Sequence, residues 1–296
     1  MTEFDKYFYT LNKYYRELFG CRTQRIAIRT ESTCPNRDGT KASGGCIYCS
    51  SENLMPPGYY KNKPVKEQII DSMNRNKKIK KFIAYFQDHT FTYNSIERMQ
   101  ASIKPVFEFD RIIGISIGTR PDTFNKEIIN LLVELKEKRY LEIELGLQSA
   151  NDKTLEFINR KHTVAEFVNA VKMLADFNIP VIAHIIIGLP YEDKNDFIKT
   201  RDLLNRLPVK GVKFHNLHIL KNTYLEKLYK ENKVNVLEMD EYIDILVELI
   251  KGLRKDIVVY RLLGEASMQL TIAPQWIHKK DVFMNKLLYI LRKQFC

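Results

Sequence analysis

Short β-branched runs at residues 25–29, 82–86, 112–117, 141–147, 181–187 and 212–219 recur along this 296-residue chain, separated by longer stretches whose apolar residues fall three and four apart. That alternation constrains the fold more than any other feature, because it predicts parallel strands joined by helical crossovers, an α/β architecture. The helical spacing is clearest at 126–138, through Ile128, Ile129, Leu131, Leu132 and Leu135, and again at 164–177. Near-continuous apolar runs such as VIAHIIIG predict strands covered on both faces. Six units fall short of a closed eight-fold barrel, which leaves a partial barrel or a doubly wound sheet. In either, ligand chemistry gathers at the carboxyl ends of the strands.

Around this core, residues 4–18 read as an aromatic-rich N-terminal helix, 239–253 and 282–292 as C-terminal helices, and 257–260 as an optional further strand. No Gly/Ser-rich or Pro-rich linker divides the chain, so a single domain spanning 1–296 is expected, with a core at about 22–220 and an extension at about 221–296. The start, MTEFDKYFYTLNKYY, lacks the basic-then-apolar pattern of a secretory signal, and no long uninterrupted apolar run occurs. A soluble cytoplasmic protein without membrane contact is the expectation. Lys and Arg number 47 against 36 Asp and Glu, a formal net charge of +11. That excess permits a polyanionic partner or simply a lysine-rich solvated surface; its densest stretch is Arg75, Lys77, Lys78, Lys80 and Lys81.

Of the five cysteines, Cys34, Cys46 and Cys49 lie together in CPNRDGTKASGGCIYCS, directly after the first strand and at the mouth of the expected sheet. Three soft thiolates at that spacing signal a metal site. Pro35, Gly39, Gly44 and Gly45 allow the backbone to wrap a bulky cluster. A zinc site with His89 as fourth ligand is the competing reading, and a redox CxxC alone leaves Cys34 unexplained. Cys21 and Cys296 are singletons, so no auxiliary cluster is expected.

Taken together, CPNRDGT, GGCxxC, YFQ, RLLGEAS and APQW resemble the radical SAM enzymes, and within them the YtqA/YhcC-type proteins related to the Elongator catalytic subunit. The resemblance runs from the N-terminal helix to Trp276 and implies a partial (β/α)6 TIM-like barrel with N- and C-terminal helical extensions. It also implies a [4Fe–4S] cluster on Cys34, Cys46 and Cys49, which act in catalysis by leaving one iron open to S-adenosylmethionine (SAM). Tyr85, Phe86 and Gln87 stand where the family meets the methionyl amino group. GLQSANDKTLEFINRKHT resembles the segment of oxygen-independent coproporphyrinogen dehydrogenases whose Gln and Arg touch SAM, here Gln148 and Arg160. In HIIIGLP, His184 replaces that relative's SAM-binding Asp, and Gly188 would let the adenine approach the backbone.

Thr119 at the end of the third strand joins the expected cofactor contacts, as does Glu144, which alternates with apolar neighbours in LEIELGL and would point inward. Arg120 and Asp122 form either an ion pair or part of the pocket. Of His215 and His218, one is expected to face the interior, and His215 is the choice. For the substrate, the resemblance implies tRNA, with a wobble carboxymethylaminomethyl-uridine remodelled toward methylaminomethyl-uridine. It further implies a reductant such as flavodoxin or ferredoxin and a possible partner methyltransferase. Tyr59, Tyr60 and Phe91 are available to stack on a splayed base or to serve as core. A radical SAM oxidoreductase acting on a small metabolite or tetrapyrrole, and a non-catalytic zinc-containing nucleic-acid-binding module, are the alternatives. The Elongator acetyltransferase domain has no counterpart after the barrel pattern, so acetyl-CoA chemistry is not expected.

Overall fold

The computed structural model describes residues 2–50, 63–87 and 89–295. The predicted runs become β1 (Thr23–Ile28), β2 (Lys81–Phe86), β3 (Ile112–Thr119), β4 (Tyr140–Gln148), β5 (Val181–Ile187) and β6 (Gly211–Asn216), side by side in chain order and parallel throughout. An order without reversal excludes the doubly wound sheet; the strands curl instead into a partial barrel. The sixth run is divided, because pairing in β6 stops at Asn216 and Ile219–Leu220 forms a separate short β7. The optional strand is real: β8 (Val258–Arg261) adds to β6 as a seventh strand. Beyond it, β9 (Thr271–Ala273) pairs antiparallel with β7.

The N-terminal helix is interrupted where one continuous helix was expected. A 3-10 turn, Glu3–Lys6, precedes α1 (Leu11–Phe19), and the break falls at Thr10 because its hydroxyl caps α1, accepting from the Lys13 N–H at 3.2 Å. The outer layer comprises α2 (Val65–Arg75), α3 (Ile96–Ile103), α4 (Lys126–Lys138), α5 (Asp152–Phe157), α6 (Val164–Asp176) and α7 (Lys194–Arg206). Three further helices follow, α8 (Tyr224–Lys230), α9 (Met239–Gly252) and α10 (Lys280–Gln294). Each begins or faces as its sequence dictates: Asn125 caps α4, while Ile128, Leu131, Leu132 and Leu135 form its buried stripe.

Strand parity divides the barrel chemically. Outward residues such as Ile28, Phe82, Phe86, Ile117 and Leu145 pack with the helices in one apolar core. Burying each such side chain contributes about 1.5–3 kcal/mol. Inward, the barrel is apolar only at its amino end, where Ile83, Ile182 and Val258 meet Tyr260 and the α1 residues Tyr14 and Tyr15. Thr10 bridges Val259, so α1 lies beneath the strands as a plug. The basic stretch at 75–81 sits at this same closed end: Lys81 starts β2, and its ammonium donates to the Phe19 carbonyl at 2.9 Å. Six strand residues, about 20 Å, separate it from the carboxyl ends. Among the described residues, no helix is long and apolar enough to cross a membrane.

Candidate active site at the mouth of the barrel

At the carboxyl ends of the strands the interior opens into a cavity of about 450 Å³, walled by residues from every barrel strand or the loop after it. Cys34, Cys46 and Cys49 all line it. Their loop folds back on itself, with the Arg37 N–H on the Cys34 carbonyl at 2.8 Å and the Cys49 N–H on the Cys46 carbonyl at 2.9 Å. Gly44 and Gly45, at φ 80° and 89°, make the left-handed turns that bring Cys46 back to the mouth. The loop is then pinned to the segment after α5: Asn159 donates to the Gly45 carbonyl at 2.8 Å, and the Ile47 N–H donates to the Ile158 carbonyl at 3.1 Å.

Donors converge on the sulfurs. Asn36 Nδ2 and Arg160 Nη1 approach Cys46 Sγ at 3.7 and 3.9 Å, and Arg37 Nη1 approaches Cys49 Sγ at 3.8 Å. Burial, and then the neighbouring Cys46, push the Cys49 thiol up to about 11, against the pull of Arg37. Thiols in this setting take on thiolate character when a cationic guest binds, and the amide and guanidinium donors then stabilise the sulfur charge. The donor set therefore fits an iron–sulfur cluster. His89 also lines the cavity, but among the described residues no three His, Cys, Asp or Glu side chains converge as a single-ion site demands.

At the end of β4 the ladder slips between Gly146 and Gln148, and Gln148 takes a left-handed φ of 72°. Arg160 and Gln148 lean over Gly146 so closely that a Cβ there would lie 2.5 Å from Arg160 Nη2 and from Gln148 Nε2. Arg160 is held on every nitrogen: Nε donates to His162 Nε2 at 2.9 Å, Nη2 to the Gly146 carbonyl at 3.1 Å, and Nη1 faces Cys46. His162 Nδ1 faces the Thr163 carbonyl at 3.2 Å, and Nε2 lies 3.0 Å from the Gly146 carbonyl while it accepts from Arg160 Nε. Burial and the Arg160 charge keep His162 neutral, lowering it to about 3. The second hydrogens of Nη1 and Nη2 are those Arg160 has left for a ligand.

Deeper, the inward positions carry charge. Glu142 accepts from the hydroxyls of Tyr15, Tyr140 and Tyr260 at 3.0, 2.9 and 2.8 Å. Glu144, fully buried, contacts Arg25 and Lys213 and accepts from His184 Nε2 at 2.8 Å. Burial alone would raise the Glu144 carboxyl, but Arg25 and then Lys213 hold it well below its ordinary value. Tyr85 lies between the two cations, its ring 3.9 Å from the Arg25 guanidinium and 4.5 Å from the Lys213 ammonium. Burial, then the Lys213 charge, lowers His184 to about 4, so it is neutral and stacks on His215 at 5.6 Å.

Of the residues singled out in the sequence, Tyr85, Gln87, Thr119, Glu144, Gln148, Arg160 and His184 line the same cavity as the cysteines. Phe86 does not: one step along β2 from Tyr85, its side chain points outward into the helix layer. Nor does Gly188, which turns at φ 91° against Leu237 outside the cavity wall. His215 and His218 both line it, contrary to the expectation of one, because β6 ends before His218 and strand parity no longer governs it. Arg120 and Asp122 form an ion pair, joined by bonds of 2.9 and 2.7 Å, and of the two Arg120 reaches the cavity wall. Burial would raise the Asp122 carboxyl, but Arg120 and Lys41 bring it down to about 2. Phe91 is core, packed 4.7 Å from Phe86, and Tyr59, Tyr60 and Cys296 lie outside the described residues. Sequence reasoning missed Arg25, Glu142, His162, Lys213 and Arg261. The signal for Arg25, Glu142 and Lys213 was a charge at an inward parity within an otherwise apolar strand, the same signal that marked Glu144, whereas Arg261 is brought inward by a register slip that the sequence does not show.

Residues 34–204 match the Radical SAM superfamily, and residues 209–292 match the Radical SAM C-terminal domain. YtqA of Bacillus subtilis is 36% identical over 282 residues, covering 94% of this chain and 88% of its own length. YhcC of Escherichia coli is 29% identical over 91% of this chain and 87% of its own. A tRNA uridine(34) acetyltransferase of Methanocaldococcus jannaschii is 28% identical over 46% of this chain and 25% of its own length. Among solved structures, an archaeal Elp3 of Methanocaldococcus infernus shares the fold at a TM-score of 0.65 and 17% identity, over 89% of this chain. This chain spans 63% of that structure's length.

Proposed function

We propose, on the premise that this chain belongs to the radical SAM superfamily, that it is a tRNA-modifying enzyme of the wobble position that converts carboxymethylaminomethyl-uridine toward methylaminomethyl-uridine. The family uses a [4Fe–4S] cluster and SAM, and the chemistry supplied when both are bound is radical abstraction of hydrogen from an unreactive carbon. Cys34, Cys46 and Cys49 would hold the cluster, with Asn36, Arg37 and Arg160 donating toward the sulfurs. Gln87, Thr119, Gln148 and Arg160 would orient SAM beside them, and Tyr85, Glu144 and His184 would form the floor beneath it. The Tyr14 and Tyr15 plug keeps bulk water from entering behind the reacting groups.

The observation that supports the substrate is the likeness, over 46% of the chain, to proteins named for tRNA uridine(34). The formal charge of +11 suits a phosphate backbone. In this reading a flavodoxin or ferredoxin supplies the electron, a separate methyltransferase completes the methylaminomethyl group, and the enzyme works in the cytoplasm. Nucleoside mass spectrometry of tRNA from a deletion strain tests it. Accumulation of carboxymethylaminomethyl-uridine is expected, whereas an unaltered tRNA profile alongside a changed small-molecule pool would point to a metabolite or tetrapyrrole substrate.

A further inference from the structure

The segment RLLGEAS, residues 261–267, was part of the family resemblance but has no role in the chemistry above. It brings Arg261, Glu265, Ala266 and Ser267 to the cavity wall. Strand register fixes the depth of Arg261. It pairs with Lys213, Lys213 with His184, and His184 with Gly146, so Arg261 stands at the level where Arg160 and Gln148 lean over the backbone. His215 is one inward position nearer the mouth on β6, and Gly264 packs beside it, its N–H on Asn216 Oδ1 at 3.0 Å.

Among the charged strand residues of the floor, the other cations each have an acid. Arg25 meets Glu142 and Glu144, and Lys213 meets Glu144. Glu265, the acid closest in sequence, is turned to Lys280. Among the described residues, the Arg261 side chain makes no hydrogen bond and no ion pair, although its charge reaches Tyr85, His184, Lys213 and His215. Near it, His215 Nε2 is buried without a partner, and His218 Nδ1 on the same cavity wall is likewise unpaired. A half-buried guanidinium on the cavity wall with no acid of its own, next to an unpaired polar nitrogen, is open to an anion, and its planar fork matches a carboxylate.

We infer that Arg261, with the His215 ring above it, is the seat of a carboxylate carried by the substrate. The inference rests on the proposed wobble-uridine reading, because the carboxymethylaminomethyl side chain ends in that group. Arg261 would thus distinguish a carboxylated nucleoside from its aminomethyl counterpart.

The test uses the full-length protein, anaerobically loaded with cluster and SAM, and two anticodon stem-loop RNAs carrying carboxymethylaminomethyl-uridine or aminomethyl-uridine at the wobble position. The native protein should bind the first about tenfold or more tightly than the second. Arg261→Gln should abolish that preference while SAM affinity and the cluster spectrum stay as they were, and Arg261→Lys should restore part of it. Arg261→Lys also serves if the Gln variant does not fold. A preference that survives both substitutions overturns the inference, as does a loss confined to SAM affinity, which would assign the cation to the carboxylate of SAM. If neither RNA binds, N-methylglycine is the probe, followed by saturation-transfer NMR. Binding abolished by Arg261→Gln keeps the carboxylate seat and rejects the wobble-uridine substrate, whereas no binding to the native protein rejects the seat itself.

Discussion

Two kinds of architecture meet at the cavity. The cysteine region is irregular: a glycine-turned loop whose side chains are positioned by backbone hydrogen bonds and by the segment after α5. The charged floor is more regular: Arg25, Glu142, Glu144, His184 and Lys213 are inward positions on neighbouring strands set by register, and a one-residue slip in β8 brings Arg261 in beside them. A loop can bring three ligands from one short stretch of sequence to one guest. Strands collect groups from distant parts of the chain and hold them whether or not anything is bound. Losses in the first region should therefore appear as lost binding, and losses in the second as lost stability.

The sharpest test of that contrast is also the largest effect. Cys34→Ala, Cys46→Ala and Cys49→Ala should each abolish cluster incorporation, measured as iron and sulfide per chain, while the unfolding midpoint of the cluster-free protein barely moves; Cys21→Ala should retain the cluster. In the strand region, Glu144→Ala leaves Lys213 without an acid and Arg25 with Glu142 alone. Urea unfolding should show a loss of about 3–5 kcal/mol. An unfolding curve identical to the native one would break the comparison.

Between the two regions stands Arg160, held by the loop on one side and by β4 on the other. Arg160→Ala should keep the cluster yet weaken SAM binding by about 2 kcal/mol, read by equilibrium dialysis, and Gln148→Ala should act in the same direction. The floor should also carry a pH signature. His184 and His218 fall from 6.5 to about 4 on folding, so between those values the unfolded chain binds more protons than the folded one. Their contribution is complete above pH 6.5 and is lost as the pH falls toward 4. Each adds at most about 1.4 kcal/mol per pH unit across that window. His184→Gln should flatten the stability profile there. The smallest effect expected is at the basic stretch: Lys77, Lys78 and Lys80 lie at the plugged end, so replacing them with Ala should leave the affinity for tRNA and its salt dependence unchanged.

The same contrast explains what could be read from the residues. The barrel was legible because its outward positions are apolar in every strand and the helices between them keep one buried stripe, as Ile128 to Leu135 show. The cysteines were legible because loop function is written contiguously. Glu144 was visible as one charge among apolar neighbours, yet Lys213 stands in a shorter run and Arg261 at the end of one, and only the register shows that these two share the level of His184 and Gly146. Phe86 was misplaced because a motif names consecutive residues, whereas a strand sends consecutive side chains to opposite faces. His218 was missed because its strand ends two residues earlier.

The tyrosine plug under the barrel has a kinetic consequence. With Tyr15, Ile83, Ile182 and Val258 nearly or wholly inaccessible, the described residues leave no rear exit from the cavity. Guests must then queue: under the proposed tRNA reading, a nucleoside seated over the mouth would block whatever has not yet entered. SAM should bind first and its products leave last, a compulsory order that steady-state inhibition patterns would reveal as tRNA competing with nothing that precedes it.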